Sequence, residues 1–350
     1  MADWQQIARK HCEEQKKKIP LDWLLDNEKL EQLRGAGTAQ EGHLIDLQAA
    51  KNSGILESNE IDITENYTAR ELVQNIRLGA LSAERVATAY CKRAAVAQQL
   101  TCDSENNIFG RTLNPHNTKL TAGGSSGGEG ALSLSPWPMN WMSAVMPALG
   151  PLTNSADDLS LLMEVVTKLN PWKYDGSAID LSWRTLVEPR SKPLTIGILP
   201  EDPEYTLHPP IRRSLAEAAS ALEEAGHKVV HLVTDAKRSA ALGARISYQY
   251  FSISAPAVTD FGEPFVASVA KGMHPFSTGD FPVDPKLDIP SQFTGLNMAR
   301  AAYAQSWSQI WQEHDLDIVL APGASCTAVP HDTFGLPVYT VMWSLIDVSV

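Results

Sequence analysis

The chain has 350 residues, 43% hydrophobic and 20% charged, enough to bury one large core or two medium ones; wholesale disorder and fibrous classes are excluded. Forty-one Asp and Glu against 29 Lys and Arg leave a net charge of −12, which excludes a general nucleic-acid binder, because phosphate contacts need clustered cations. Cys12, Cys91, Cys102 and Cys326 are scattered with no C-x-x-C pair, so neither a disulfide framework nor a structural zinc site is expected.

The polar start, with Lys16, Lys17 and Lys18 behind it, lacks the apolar run of a signal peptide. The longest uncharged stretch, between Glu129 and Asp157, contains Pro136, Pro138, Pro147 and Pro151 and is a poor membrane helix. A cytoplasmic protein without a membrane partner is expected.

In chain order, the first hundred residues read as helical. Thr68-Ala-Arg-Glu71 is a capping box that opens a helix with Leu72, Ile76 and Leu81 at helical spacing, and Gly79 is placed at its end. Ser82 caps a second helix with Val86, Ala89, Tyr90 and Ala94 on one side. The alanines and basic residues around Lys92 and Arg93 read as its solvated face. From Leu194 the pattern turns to β-α-β. Leu194–Leu199 is an apolar strand; Ile211, Leu215, Ala219, Leu222 and Ala225 mark an amphipathic helix with Gly226 at its C′ position; Val229–Val233 is the returning strand. Residues 261–290, rich in Pro and Gly, read as loop, and Asp317–Ala321 as a buried strand ended by Pro322-Gly323. The unit favours an α/β fold with parallel pairing.

Leu120-Thr-Ala-Gly-Gly-Ser-Ser-Gly-Gly-Glu-Gly-Ala-Leu132 stands apart. It lacks the Gly-Lys-Ser/Thr ending of a phosphate loop, and Ser133 occupies the place of the third glycine of a dinucleotide fingerprint. Gly124-Ser-Ser-Gly-Gly128 fits the nucleophile-elbow pattern around Ser126, with His331 downstream, but Asn117–Ala122 is not the apolar strand that this turn requires. A glycine-rich turn with solvated serines is the purely structural alternative. His227 and His231 do not form a metal pair, because residues four apart in a strand are separated by about 13 Å. Trp137 and Trp141 have no interleaved basic residues and make no platform for bases.

The run Gly123-Gly-Ser-Ser-Gly-Gly-Glu-Gly-Ala-Leu132 resembles the glycine-serine core of the amidase signature family. Asn106–Asn117 resembles its fungal acetamidase-like members, as do the helices from Thr68 to Gln99, Gly150–Leu159, Leu320-Ala-Pro322 and Ala328-Val-Pro-His-Asp332. The resemblance implies a twisted mixed sheet flanked by helices, residues 67–350 forming this domain behind a largely helical extension, 1–66. It implies hydrolysis of a small-molecule carboxamide to a carboxylic acid and ammonia or an amine, with no metal or organic cofactor. A serine nucleophile attacks the carbonyl, a second serine on a cis peptide relays its proton to a neutral buried lysine, and backbone N–H groups hold the oxyanion.

Carried over by position, the relay is Ser125, with Ser126 beside it and Gly124, Gly127 and Gly128 around the substrate. The family's nucleophile turn has no counterpart: Ala131-Leu-Ser-Leu-Ser135 runs straight into Pro136. Ser133 and Ser135 lack a glycine turn that could supply an oxyanion hole. The lysine strand is also missing; only Leu-Thr-Cys-Asp-Ser-Glu stands between Gln99 and Asn106, while Lys92 falls in a helix and Lys119 matches a flanking position. The expectation is an internally shortened chain, broken near 100–103 and 132–140 and truncated after Val350, whose activity is in question. The alternatives are a non-catalytic remnant and an esterase using Ser126 and His331. Oligomeric state is not readable.

Overall fold

The computed structural model describes residues 10, 13–14, 17–35, 48–100, 113–114, 117–121, 155–174, 178–181, 183, 192–233, 235–254, 281–333 and 335–346. The chain divides into two compact units, Met1–Leu134 with Leu149–Pro189, and Ser135–Ala148 with Arg190–Val350.

In the first unit, helices α1 (Asn27–Gly35), α2 (Ala49–Asn52) and α3 (Ser58–Glu65) pack against α5 (Ala83–Leu100). Leu25, Leu33, Ala49, Leu56 and Val96 form one buried cluster. The Gln99 side chain adds a polar clamp, donating to the Trp23 carbonyl at 2.9 Å and accepting from the Leu25 amide at 2.8 Å. The expected capping box is present at α4 (Ala69–Arg77): the Thr68 hydroxyl accepts from the Glu71 amide and the Glu71 carboxylate accepts from the Thr68 amide. Leu72 of α4 joins Ile63 and Ala89 in a second cluster. Gly79 follows the end of α4, and Ser82 Oγ accepts from the Arg85 amide to cap α5 as the sequence implies.

The side of α5 differs from expectation. Ala89 is fully buried and Val86 half-buried, but Tyr90 and Ala94 are exposed. Lys92 and Arg93 are not a free solvated face: Lys92 pairs with Glu60 and Arg93 with Glu65, both of α3. The described residues of this unit also form a short antiparallel hairpin, β1 (Leu113–Asn114) and β2 (Asn117–Thr121), and helix α6 (Ala156–Lys168).

The second unit holds a three-stranded parallel sheet in the order β4-β3-β5, formed by β3 (Thr195–Ile198), β4 (Lys228–His231) and β5 (Ile318–Leu320). Thr195 pairs with Lys228, and Ile196 with Ile318, in register. The expected β-α-β unit and its parallel pairing are therefore present, with α7 (Pro209–Glu224) as the crossover helix. Ile196 and Ile198 pack with Ala219, Leu215 and Leu222 of α7. Gly226 terminates α7 at φ 88°, a left-handed conformation that favours glycine. The returning strand is shorter than the sequence implies; Leu232 is buried behind it and Val233 is exposed.

The larger core of this unit is built by α8 (Ala240–Ser254), α9 (Ile289–His314) and α10 (Val338–Leu345), with Ile211 and Leu215 of α7 packed against it. Trp307 of α9 and Trp343 of α10 lie with ring centroids 4.8 Å apart. Gly243 permits the closest approach: a Cβ there would fall 2.7 Å from the Tyr303 hydroxyl and 2.8 Å from Met342 Cβ. The loop reading of 261–290 holds for 281–288, while Ile289 and Pro290 open α9 under an Asp288 cap; residues 261–280 lie outside the described residues.

Candidate active site

The chain enters the glycine-serine segment from β2, whose register with β1 runs from Asn114↔Asn117 to Leu113↔Thr121 across an irregularity. It leaves through Ser155, which caps α6 by accepting from the Asp158 amide at 3.1 Å. Asp158 in turn accepts from the Ala69 amide at 2.9 Å, tying the start of α6 to the start of α4. An extended entry and a capped helical exit are thus fixed. Between them, Gly124, Ser125, Ser126, Gly127, Gly128, Ser133, Ser135, Trp137 and Trp141 lie outside the described residues.

Lys92 is largely enclosed by protein. Its ammonium donates to both oxygens of Glu60 at 2.8 Å, with the two side chains 16% and 8% exposed. Glu60 also accepts from the Glu57 amide at 2.8 Å, closing a capping box at α3. Burial pushes the Glu60 carboxyl up, but the Lys92 and Glu57 hydrogen bonds and the charges of Lys92 and Arg85 outweigh it and hold the group below its ordinary range. Lys92 thus lies in a helix, as the sequence implies, with its ammonium bonded to both oxygens of Glu60. Beside it, Arg93 donates to Thr64 and Glu65 at 2.9 Å.

The histidines serve different ends. His227 Nδ1 accepts from the Leu194 amide at 3.1 Å, so it joins the start of β4 to the start of β3. His231 is exposed at the end of β4, opposite Ile198. His331 is half-buried in the turn after Pro330, beside Asp332 at φ 59°. Its proposed partner Ser126 lies outside the described residues.

Sequence reasoning missed a buried polar node beyond the end of β3. The Asp202 carboxylate accepts from the Glu204 amide and from the Ala241 amide of α8, both at 2.9 Å. The Tyr339 hydroxyl of α10 accepts from the Asp202 amide at 2.9 Å and donates to the Tyr205 carbonyl at 2.6 Å. Burial pushes the Tyr339, Tyr303 and Tyr248 phenols up, that of Tyr248 to about 12, so each stays a neutral hydroxyl near pH 7. The Asp202-Pro-Glu204 Asx turn was the available signal. The node joins the sheet to α8 and α10.

Among the described residues, no group of three or more His, Cys, Asp or Glu is arranged to hold a metal ion, and no helix is long and apolar enough to cross a membrane.

The profile of the Amidase family matches residues 87–133 and 132–255, two stretches that meet directly behind the glycine-serine loop. An amidase of Gibberella moniliformis is 26% identical over 480 aligned positions, covering 99% of this chain and 88% of the relative. The acetamidases of Aspergillus oryzae and Emericella nidulans are 25% and 24% identical, covering 99% and 98% of this chain and 86% and 85% of the relatives. Among solved structures, a fatty acid amide hydrolase superposes with a TM-score of 0.69 at 19% identity, covering 94% of this chain and 84% of that one. The fold is the one that hydrolase carries. Over nearly its whole length the chain is thus similar to fungal amidases and acetamidases, in line with the resemblance to the amidase signature family.

Its 350 residues can fill at most 350 of the 480 positions aligned with the Gibberella amidase, so at least 130 lie opposite gaps.

Proposed function

We propose that the chain is an internally shortened amidase whose parent chemistry is the hydrolysis of a small-molecule carboxamide, R–CO–NH₂ + H₂O giving R–COOH + NH₃, and that this form of it is catalytically silent. Ser125 is the proton relay of that chemistry, Ser126 its neighbour, and Gly124, Gly127 and Gly128 frame the substrate. The cycle needs three further things: a serine oxygen to bond to the carbonyl carbon, a neutral lysine to take the serine proton through Ser125 and return it to the leaving nitrogen, and backbone N–H groups on the oxyanion. The sequence offers none of them.

The observation that carries this reading is the meeting of the two profile matches at 132–133, immediately before the place where the nucleophile turn is expected. The gapped positions opposite the Gibberella amidase support it. The N-terminal extension 1–66, the single domain from 67 onward and a cytoplasmic location belong to the same proposal.

The test is direct. Purified chain is offered acetamide, benzamide and an anilide, with ammonia or amine release as the readout, and is treated with a fluorophosphonate probe. No turnover and no labelled serine are expected. Turnover that disappears in Ser125→Ala overturns the silent reading, and labelling at Ser126 favours the esterase instead. Sequencing the locus and its spliced transcripts tests the shortening: stretches encoding the lysine strand and the nucleophile turn are expected at the two breaks.

A further inference from the structure

The N-terminal end of the parallel sheet is closed by two side chains of opposite acid–base character. Helix α7 ends in a Schellman motif: the Gly226 amide donates to the Glu223 carbonyl at 2.9 Å and the His227 amide to the Leu222 carbonyl at 3.1 Å. That turn fixes the backbone of His227, whose ring reaches β3, where Nδ1 accepts from the Leu194 amide at 3.1 Å. On the other flank the Asp317 carboxylate, just ahead of β5, accepts from the Thr195 amide at 2.9 Å. Backbone bonds complete the frame: the Lys228 amide donates to the Leu194 carbonyl and the Asp317 amide to the Thr195 carbonyl, both at 2.9 Å. Two consecutive amides at the start of the central strand are thus held by one side chain from each flank.

We propose that His227 and Asp317 form an acid-opened clasp on β3, closed at neutral pH and releasing its His227 half when the imidazole takes up a proton. The Leu194 amide is a donor, so Nδ1 supplies the accepting lone pair and the ring proton sits on Nε2. An imidazolium carries N–H on both nitrogens and has no lone pair left to accept with. Histidine changes charge between about pH 5 and 8, whereas a carboxylate keeps accepting until well below that range. Opening is therefore one-sided: the β4 flank lets go and the β5 flank holds. The other charged groups placed at this end of the sheet are Lys192 ahead of β3, Lys228 beside His227, Glu223 and Glu224 in the last turn of α7, and Glu313, His314 and Asp315 where α9 leads into β5. Among these, His314 alone shares the histidine range. The main stretch of the second unit starts at Arg190, so the clasp grips the first strand behind that point and makes its hold on the sheet depend on pH.

The experiment uses the full chain with leucine and histidine labelled with nitrogen-15. The Leu194 amide, assigned by its loss in Leu194→Ile, is followed by hydrogen exchange from about pH 7.5 to about pH 5, alongside the ring nitrogens of His227. Exchange is expressed relative to the intrinsic rate at each pH. At neutral pH the ring proton should be on Nε2. Protection of Leu194 should fall about two- to tenfold in step with the titration of His227, the span given by one hydrogen bond of ordinary net strength. His227→Asn and His227→Ala both lack the titrating ring, so the fall should vanish in each. His314→Asn should leave it in place. A proton on Nδ1 at neutral pH, protection that changes by less than about twofold while His227 titrates, or a fall that persists without the His227 ring overturns the proposal.

Discussion

Replacing Lys92 by Met separates a structural lysine from a catalytic one. In the native chain the Lys92 ammonium lies 2.8 Å from both Glu60 oxygens, and the substitution leaves that carboxylate with the Glu57 amide as its remaining hydrogen-bond donor here. Breaking a buried ion pair from one side costs about 3–5 kcal/mol. The pair lies just below the surface and the Glu57 bond survives, so the expected cost is about 2–3 kcal/mol. The assay is hydrogen exchange of the α3 and α5 amides at pH 7, which reads local stability without assuming one global transition. Protection should fall about 30- to 150-fold, since each 1.4 kcal/mol is a factor of ten. Glu60 titrates below its ordinary range in the folded chain, so its contribution is present above the unfolded carboxylate pKa and is lost as pH falls through the folded one. The gap between native and variant should therefore narrow in acid, and Glu60→Gln added to Lys92→Met should recover most of the loss at pH 7. A change under twofold at pH 7 would refute the account of Lys92 as half of an ion pair.

Three further substitutions probe other supports. Thr68→Ala removes the hydroxyl that accepts the Glu71 amide and should destabilise α4 by about 1 kcal/mol, read as faster exchange in residues 69–77. Gly226→Ala forces a Cβ into φ 88° and should cost about 1 kcal/mol in urea unfolding of the second unit, although nothing lies within 4 Å of the new atom. Tyr339→Phe leaves the Asp202 amide and the Tyr205 carbonyl without their shared hydroxyl, and should lower stability by about 2 kcal/mol in the same measurement.

The elements legible in the sequence are those with local signals. Thr68 with Glu71, Ser82, and the spacing from Ile211 to Ala225 with Gly226 behind it each specify an end or a face within a few residues, and the structure has them. Helices α8 and α10 carry no such signal. In Ala240–Ser254 the buried residues include the polar Ser247 and Gln249 beside Ile246, Tyr248 and Tyr250, so no clean apolar stripe stands out in the sequence. Val338–Leu345 is rich in β-branched and aromatic residues, a strand-like composition that packing against α8 overrides. The solvated reading of Lys92 failed for a related reason: its partner Glu60 is 32 residues away, and periodicity within one helix cannot register a charge on another.

The site divides along the same line. The ten-residue run Gly123–Leu132, seven of its residues glycine or serine, is recognisable because it is a contiguous local pattern. A nucleophile, a base and an oxyanion hole come from separate segments and must meet within about half an ångström, so their identity is a property of the assembled fold. Gradual decay of an enzyme would scatter substitutions, and the glycines from Gly123 to Gly130 would be among the first to change, since losing one disturbs only the loop. Here the glycine-serine run is intact in the sequence and the family match resumes at once behind it. Under the shortening proposed above, whole segments would be lost together with the catalytic groups they carry, and the local signals of the remaining blocks would stay untouched.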